Sequence, residues 1–179
     1  MKIQISSPED IEARKSELKQ SAARTQERLL ELATSKDAIS LLANLKFSQV
    51  GADPLDSNRR LNLIEQLNQT FTCLASLKAT KYLLEKHPSA KPFTLNLGTR
   101  RGTDIISEGG NIAAEVFSAV KPGNNKKLRN DCDKVSRDNK TAKHKYVFFM
   151  CPNYKGLQPN EDKFPNVKIV AVWEDNIGL

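Results

Sequence analysis

Two consecutive glycines, Gly109 and Gly110, sit midway along Thr103-Asp-Ile-Ile-Ser-Glu-Gly-Gly-Asn-Ile-Ala-Ala-Glu-Val-Phe117 and oblige that segment to fold back on itself. A Gly-Gly pair takes positive φ at both central positions without steric cost, which suits a two-residue hairpin turn. With Glu108 paired to Asn111, Asp104 falls opposite Glu115. Side chains directly opposed across an antiparallel pair have Cβ atoms roughly 4.5–5.5 Å apart, and like charges there are destabilising. A fold accommodates two such carboxylates when something positive lies between them, and an oxygen-ligated divalent cation fits.

The second strand of this hairpin, Ile112–Val120, is apolar on both faces, with Glu115 among Ala113, Phe117 and Ala119. A strand of that kind belongs inside a sheet covered on both sides. Around it the chain reads as alternating elements. Phe93, Leu95 and Leu97 alternate with polar residues as a strand does, and Gly98–Gly102 is a turn carrying Arg100 and Arg101. Pro122-Gly-Asn-Asn125 breaks the chain, and an Asn there can cap a helix that runs to about Arg137 with Leu128, Cys132 and Val135 inward. Lys145–Cys151 and Val167–Trp173 are hydrophobic strands separated by a loop.

Upstream, Ser7-Pro-Glu-Asp10 is a helix start, and Ile11, Leu18, Thr25 and Leu32 recur every seven residues as a thin stripe. Ser35 can cap a short second helix with Ile39, Leu42 and Ala43 inward. Val50–Pro54 reads as a loop that divides an N-terminal helical arm, residues 1–50, from an α/β core, residues 51–179. The next helix is expected from Asn58 to Lys86 with an apolar stripe of Leu61, Ile64, Phe71, Leu74 and Leu77. Glu65 stands on the shoulder of that stripe and requires a partner there: a cation, backbone donors or water near a metal. The expected fold class is α/β: a central mixed sheet flanked by helices, with the helical arm appended.

Charge narrows the partners. The net charge of +7 is concentrated after the hairpin, where residues 121–145 hold 9 basic and 3 acidic side chains. A basic patch beside a candidate metal site points to a polyanion, phosphate backbones above all. Arg100, Arg101, Lys126, Lys127 and Arg129 are the candidate phosphate contacts. The longest apolar runs, Tyr146–Cys151 and Ile169–Trp173, are too short to cross a bilayer, and no membrane partner is expected. The N-terminal residues lack the apolar stretch of a signal peptide. Three widely spaced cysteines, Cys73, Cys132 and Cys151, read as buried reduced thiols, so the expected location is cytoplasmic.

The order of helix with Glu65, strand with Asp104, strand with Glu115, basic helix and hydrophobic strand resembles the PD-(D/E)XK nuclease superfamily, the restriction-endonuclease-like fold, over residues 58–173. The resemblance implies a metal-dependent endonuclease that hydrolyses DNA phosphodiester bonds, with restriction-type enzymes among its kin. It implies that Asp104 and Glu115 bind Mg²⁺, or Mn²⁺ in its place, and that Glu65 assists from the helix. The superfamily also has a Lys two residues beyond the second acid, where this chain has Phe117. Some members supply that Lys from the adjacent helix, which makes Lys127 the first candidate here, with Lys134 and Lys126 behind it. Loss of that Lys leaves a second reading, a catalytically silent nuclease-like DNA-binding subunit. A third is an unrelated α/β interaction protein. One site nicks one strand, so cleavage of both strands implies a homodimer, to which the Ile11–Leu32 stripe could contribute.

Overall fold

The computed structural model describes residues 1–35, 37–98, 102–159 and 164–173. By its internal contacts the chain forms two compact units, one made of Met1–Ile11 with the chain from Ala75 onward, the other of Glu12–Leu74. The boundary expected near residue 50 lies inside the second of these.

The larger unit is built on a seven-stranded mixed sheet. Its strands are β1 (Lys2–Ile5), β4 (Phe93–Asn96), β5 (Ile105–Ser107), β6 (Ile112–Ser118), β7 (His144–Met150), β8 (Lys155–Gln158) and β9 (Val167–Val172), in the spatial order β1-β4-β5-β6-β7-β9-β8. Strands β4, β5 and β6 are an antiparallel meander. Parallel pairing of β6 with β7 then requires a crossover, and helix α4 (Lys127–Asp138) supplies it. Leu128, Cys132 and Val135 lie on one side of α4, as its periodicity predicts, and pack on Ala113, Phe117, Val147 and Phe149. The opposite sheet face receives the C-terminal half of helix α3 (Leu63–Lys86). There Tyr82 meets Tyr146 and Phe148 edge-on, with ring centroids 6.2 and 5.5 Å apart. The sheet is therefore covered on both sides, and the α/β fold class holds. No helix among the described residues is long and apolar enough to cross a membrane.

The smaller unit holds most of helix α1 (Pro8–Ser35), helix α2 (Ala38–Phe47), the two-stranded ribbon of β2 (Gly51–Asp53) and β3 (Asp56–Leu61), and the start of α3. Several local expectations change here. Asn58–Leu61 is strand and not helix; α3 begins only after Asn62, whose side-chain oxygen accepts from the Glu65 amide at 2.9 Å. The α2 cap is Asp37, accepting from Ser40 N at 3.1 Å, and not Ser35. Ile39 and Leu42, expected inward, are exposed, as are Ile64 and Leu67.

In the sheet unit, β1 lies in the stretch assigned to the helical arm and β8 in the loop expected between the last two strands, because four-residue edge strands leave little periodicity to see. Strand β6 ends at Ser118, and Val120 is exposed. Helix α4 follows two residues with left-handed backbone, Asn125 and Lys126, and no side chain caps it.

The hairpin register is as expected, with Ile105 opposite Ala114 and Ile106 opposite Ala113, but the turn is different. Gly110 N donates to Ser107 O at 2.9 Å, so the turn closes over Glu108 and Gly109, and only Gly110 takes a positive φ, +66°. Ser107 Oγ then accepts from Ile112 N at 3.1 Å and starts the return strand. A Cβ on Gly110 would meet nothing within 4 Å, so any cost there is purely conformational. Gly110→Ala should lower stability by roughly 1–2 kcal/mol, whereas Gly109→Ala should stay within about 0.5 kcal/mol of wild type. Denaturant midpoints of the two variants, measured with unchanged m-values, test the assignment of the turn.

Candidate metal and phosphate site

Strand β5 stops one residue short of Asp104, and that stop creates the site. The last register pair of the β5–β6 ladder is Ile105 with Ala114. The Val116 N–H beyond it donates instead to Asp104 Oδ2 at 2.8 Å. The Asp104 carbonyl accepts from Asn96 N at 2.7 Å, so the residue is pinned between β4 and β6. The two acids therefore converge, but through a bend and not as a cross-strand pair.

Glu115 occupies the middle of β6 on the face covered by α4 and is 1% exposed. Its Oε2 accepts from Lys134 Nζ at 2.5 Å, while its Oε1 is buried without a hydrogen-bond partner. Burial, and next the negative charge of Asp104, push the Glu115 carboxyl up to about 8, against the opposing pull of Lys134. Burial works against the charged ammonium of Lys134, yet the bond to Glu115 and the charges of Glu115, Asp104 and Asp131 outweigh it, and its pKa rises. Lys134 Nζ also donates to Gly102 O at 2.9 Å. The same helix reaches this loop a second time, where Thr103 Oγ1 donates to Asn139 Oδ1 at 3.0 Å. Both links hold the strand entry that carries Asp104 against α4.

Lys127, the first candidate for the lysine absent at Phe117, bonds to a different carboxylate and not to Glu115. Its Nζ bonds to Asp131 Oδ1 at 2.6 Å and lies 5.7 Å from the centroid of the Phe117 ring, further along the strand. The lysine that reaches Glu115 is Lys134, seven residues on and thus two turns down the same side of α4. Lys126 and Arg129 are exposed. Arg100 and Arg101 lie outside the described residues. Glu65 serves its own helix: its Oε2 accepts from Asn62 N at 3.3 Å and completes a reciprocal cap, and the residue is exposed, not on a buried shoulder.

Asp131, which is not among the candidate residues, joins this charged cluster through Lys127. It is 3% exposed, and Oδ2 is buried without a partner. Burial raises its pKa, Lys127 opposes this, and Asp104 adds a further raising charge. An Asp at the edge of an amphipathic helix looks solvated in sequence. The available signal is its i,i+4 spacing from Lys127, which places that pair along the side of α4 where Lys134 also lies.

A resident cation can be tested against these groups. Among the described residues no three His, Cys, Asp or Glu side chains are grouped to hold a metal. Mg²⁺, however, is commonly held by one or two carboxylates, its remaining positions going to water and substrate phosphate. Asp104 and Glu115 supply that number, and Glu115 Oε1 is a buried oxygen lacking a donor. The donor set fits a small hard dication and does not fit a structural zinc site.

The raised Glu115 pKa has a stability consequence with a definite sign. The folded protein holds this proton up to about pH 8, whereas an unfolded glutamate releases it near its ordinary value of 4.5. Stability from this group is present below pH 4.5 and is lost as pH rises toward 8, with a limiting slope of about 1.4 kcal/mol per pH unit. Glu115→Gln should remove that slope, so the stability of the variant relative to wild type should grow between pH 5 and 8. Urea unfolding of both proteins across that range measures it; parallel curves would show that Glu115 keeps an ordinary pKa.

No family model, curated protein or solved structure matches the chain, so its function has to be read from this geometry.

Proposed function

We propose that this protein is a metal-dependent endonuclease of the PD-(D/E)XK type, acting on DNA phosphodiester bonds. The observation that carries the proposal is the meeting of Lys134 with Glu115 beside Asp104: one acid from the middle of β6, one from the bend that precedes β5, and one lysine from the crossover helix. The order of α3, the β4–β5–β6 meander, α4 and the parallel β7 supports the same reading. In it Asp104 and Glu115 hold Mg²⁺ or Mn²⁺, and Lys134 stands in for the lysine absent at Phe117.

When bound, the dication supplies positive charge for a phosphoryl oxygen and lowers the pKa of a coordinated water. The residues of the chain do the rest. Lys134, held by Glu115 and Gly102 O, orients an attacking water and offsets negative charge developing on the phosphate. Asp131 holds Lys127 over the Phe117 ring, where its ammonium can meet a neighbouring phosphate. Lys126 and Arg129 extend that contact along the exposed side of α4. Cutting both strands would require two copies of the chain. Three buried free thiols, Cys73, Cys132 and Cys151, accord with a reducing cytoplasm.

The silent DNA-binding subunit draws on two observations: Phe117 at the usual lysine position, and the lack of a three-residue His/Cys/Asp/Glu group among the described residues. Plasmid nicking separates the two. Wild type should nick supercoiled DNA with Mg²⁺ and stop on chelation. Asp104→Ala, Glu115→Gln and Lys134→Met should each cost on the order of 10²-fold or more, while all three still bind duplex. Lys127→Met should mainly weaken binding and lower its salt dependence by about one phosphate contact. Duplex binding with no cutting in Mg²⁺ or Mn²⁺ would establish the silent subunit, and no binding at low salt would remove both readings.

A further inference from the structure

Within the smaller unit, helix α1 and the β2–β3 ribbon enclose a second basic feature, separate from the carboxylate pair. A cavity of ≈ 280 Å³ is lined by Arg24 and Arg28 of α1, Arg60 and Ser57 of β3, and the backbone of Gly51 and Ala52. Among the described residues no carboxylate lines it. Arg24 and Arg28 are one helical turn apart and both exposed, an arrangement of like charges unfavourable without a counter-ion. Arg28 is balanced from outside the cavity by Glu31, at 2.7 Å, and Arg60 Nη2 donates to Gln49 O at 3.1 Å, which leaves its other guanidinium donors available. Arg24 has no ion pair among the described residues.

The floor of this cavity is built and not merely left over. Buried Gln66 donates from Nε2 to Thr25 Oγ1 at 2.5 Å and accepts at Oε1 from Ala52 N at 3.2 Å, joining α1, α3 and β2. Thr25 Oγ1 in turn donates to Ser21 O at 3.0 Å. Gly51 makes room for this: a Cβ there would lie 1.8 Å from Gln66 Oε1. The charged groups that line the cavity are its three guanidinium groups, with the hydroxyls of Ser57 and Ser21 beside them.

We propose that this cavity is a phosphate-binding site, in which Arg24, Arg28 and Arg60 converge on the oxygens of one phosphate group. Forked guanidinium donors match phosphate oxygens better than point charges do, and three around one hollow specify a dianionic or diester group over a carboxylate. The group could belong to a nucleic-acid backbone or to a free nucleotide, which share this chemistry. The site does not depend on the nuclease reading, because none of its residues belongs to the carboxylate centre.

The test uses the full chain in EDTA, so that cleavage plays no part. Binding of a 20-base-pair duplex is measured by anisotropy against salt, and binding of AMP and inorganic phosphate by calorimetry. Two variants are compared with wild type: Arg24→Gln/Arg60→Gln, which removes charge, and Ser57→Glu, which adds a carboxylate while keeping every arginine. Arg137→Gln, an exposed arginine paired with Asp138, is the control. If the phosphate is part of a polymer, both variants should lose at least about tenfold in duplex affinity and flatten the salt slope by about one to two contacts. If it belongs to a free nucleotide, both should lose AMP or phosphate binding and keep duplex binding. Retention of duplex, AMP and phosphate binding at the level of the control in either variant would overturn the proposal.

Discussion

The bond between Lys134 and Glu115 is the constraint around which the sheet unit is arranged. Strand β6 is buried along six of its seven residues, and the carboxyl at its centre is itself buried. Ionising a buried carboxyl costs several kcal/mol even after relaxation, which is why burial pushes the Glu115 carboxyl well above the usual range. A well-packed apolar pair could fill the same space with little loss of stability. Stability therefore does not explain Glu115. Its placement costs the fold something, and Lys134 offsets part of that cost while fixing α4 against β6 and the Gly102 loop.

The same balance extends to the neighbours. Asp104, Glu115 and Asp131 face Lys127 and Lys134, three carboxyl groups against two ammonium groups. Fully ionised, the cluster carries one excess negative charge, and the chain answers by holding a proton on Glu115 up to about pH 8. A proton and a dication are alternative solutions to that excess. The proton leaves the cluster neutral; on the proposed reading a dication would make it positive by one unit, the sign a phosphodiester requires. Two buried carboxylate oxygens without hydrogen-bond partners, Glu115 Oε1 and Asp131 Oδ2, mark where the first solution is incomplete.

How much of this is legible in the sequence depends on the length scale of each signal. Two-sided apolarity locates β6 and β7, and period-3.6 patterning gives α4 its inward face, because long buried elements repeat their signal many times. The Ile105–Ala114 register follows from the glycines even though the turn differs from the expected one: Ser107, Glu108 and Gly109 close a turn that leaves only Gly110 left-handed, and the flanking pairs come out the same. Edge strands β1 and β8, at four residues each, repeat nothing. Asn58–Leu61 has polar residues and one Leu, compatible with either a helix entry or a ribbon, and pairing with Gly51–Asp53 decides it. Glu65 shows how a single residue carries two meanings: an acid three places after Asn62 is equally a helix cap, and the cap prevails. The arginine cavity joins residues about 35 apart in sequence, a separation at which no local pattern operates.

The choice between Lys127 and Lys134 is a question of distance that composition cannot answer. Helix numbers rise where strand numbers fall: Lys127 lies over Phe117, and Lys134 lies on Glu115. The helix therefore runs back along the strand it has just left. Two strand residues span roughly 6.6 Å and seven helical residues roughly 10.5 Å, so a step from Phe117 to Glu115 corresponds to more than one helical turn. Any lysine meant for Glu115 has to stand well inside the helix and on the side that faces β6. Lys127, at the first helical residue, is too early by more than one turn. Asp131, one turn from Lys127 and just under one from Lys134, fills the space between the two ammonium groups and bonds to the nearer. On the proposed nuclease reading, a lysine displaced from strand to helix can arrive at the same carboxylate only where the helix is long enough to reach back to it, and α4, at 12 residues, is long enough.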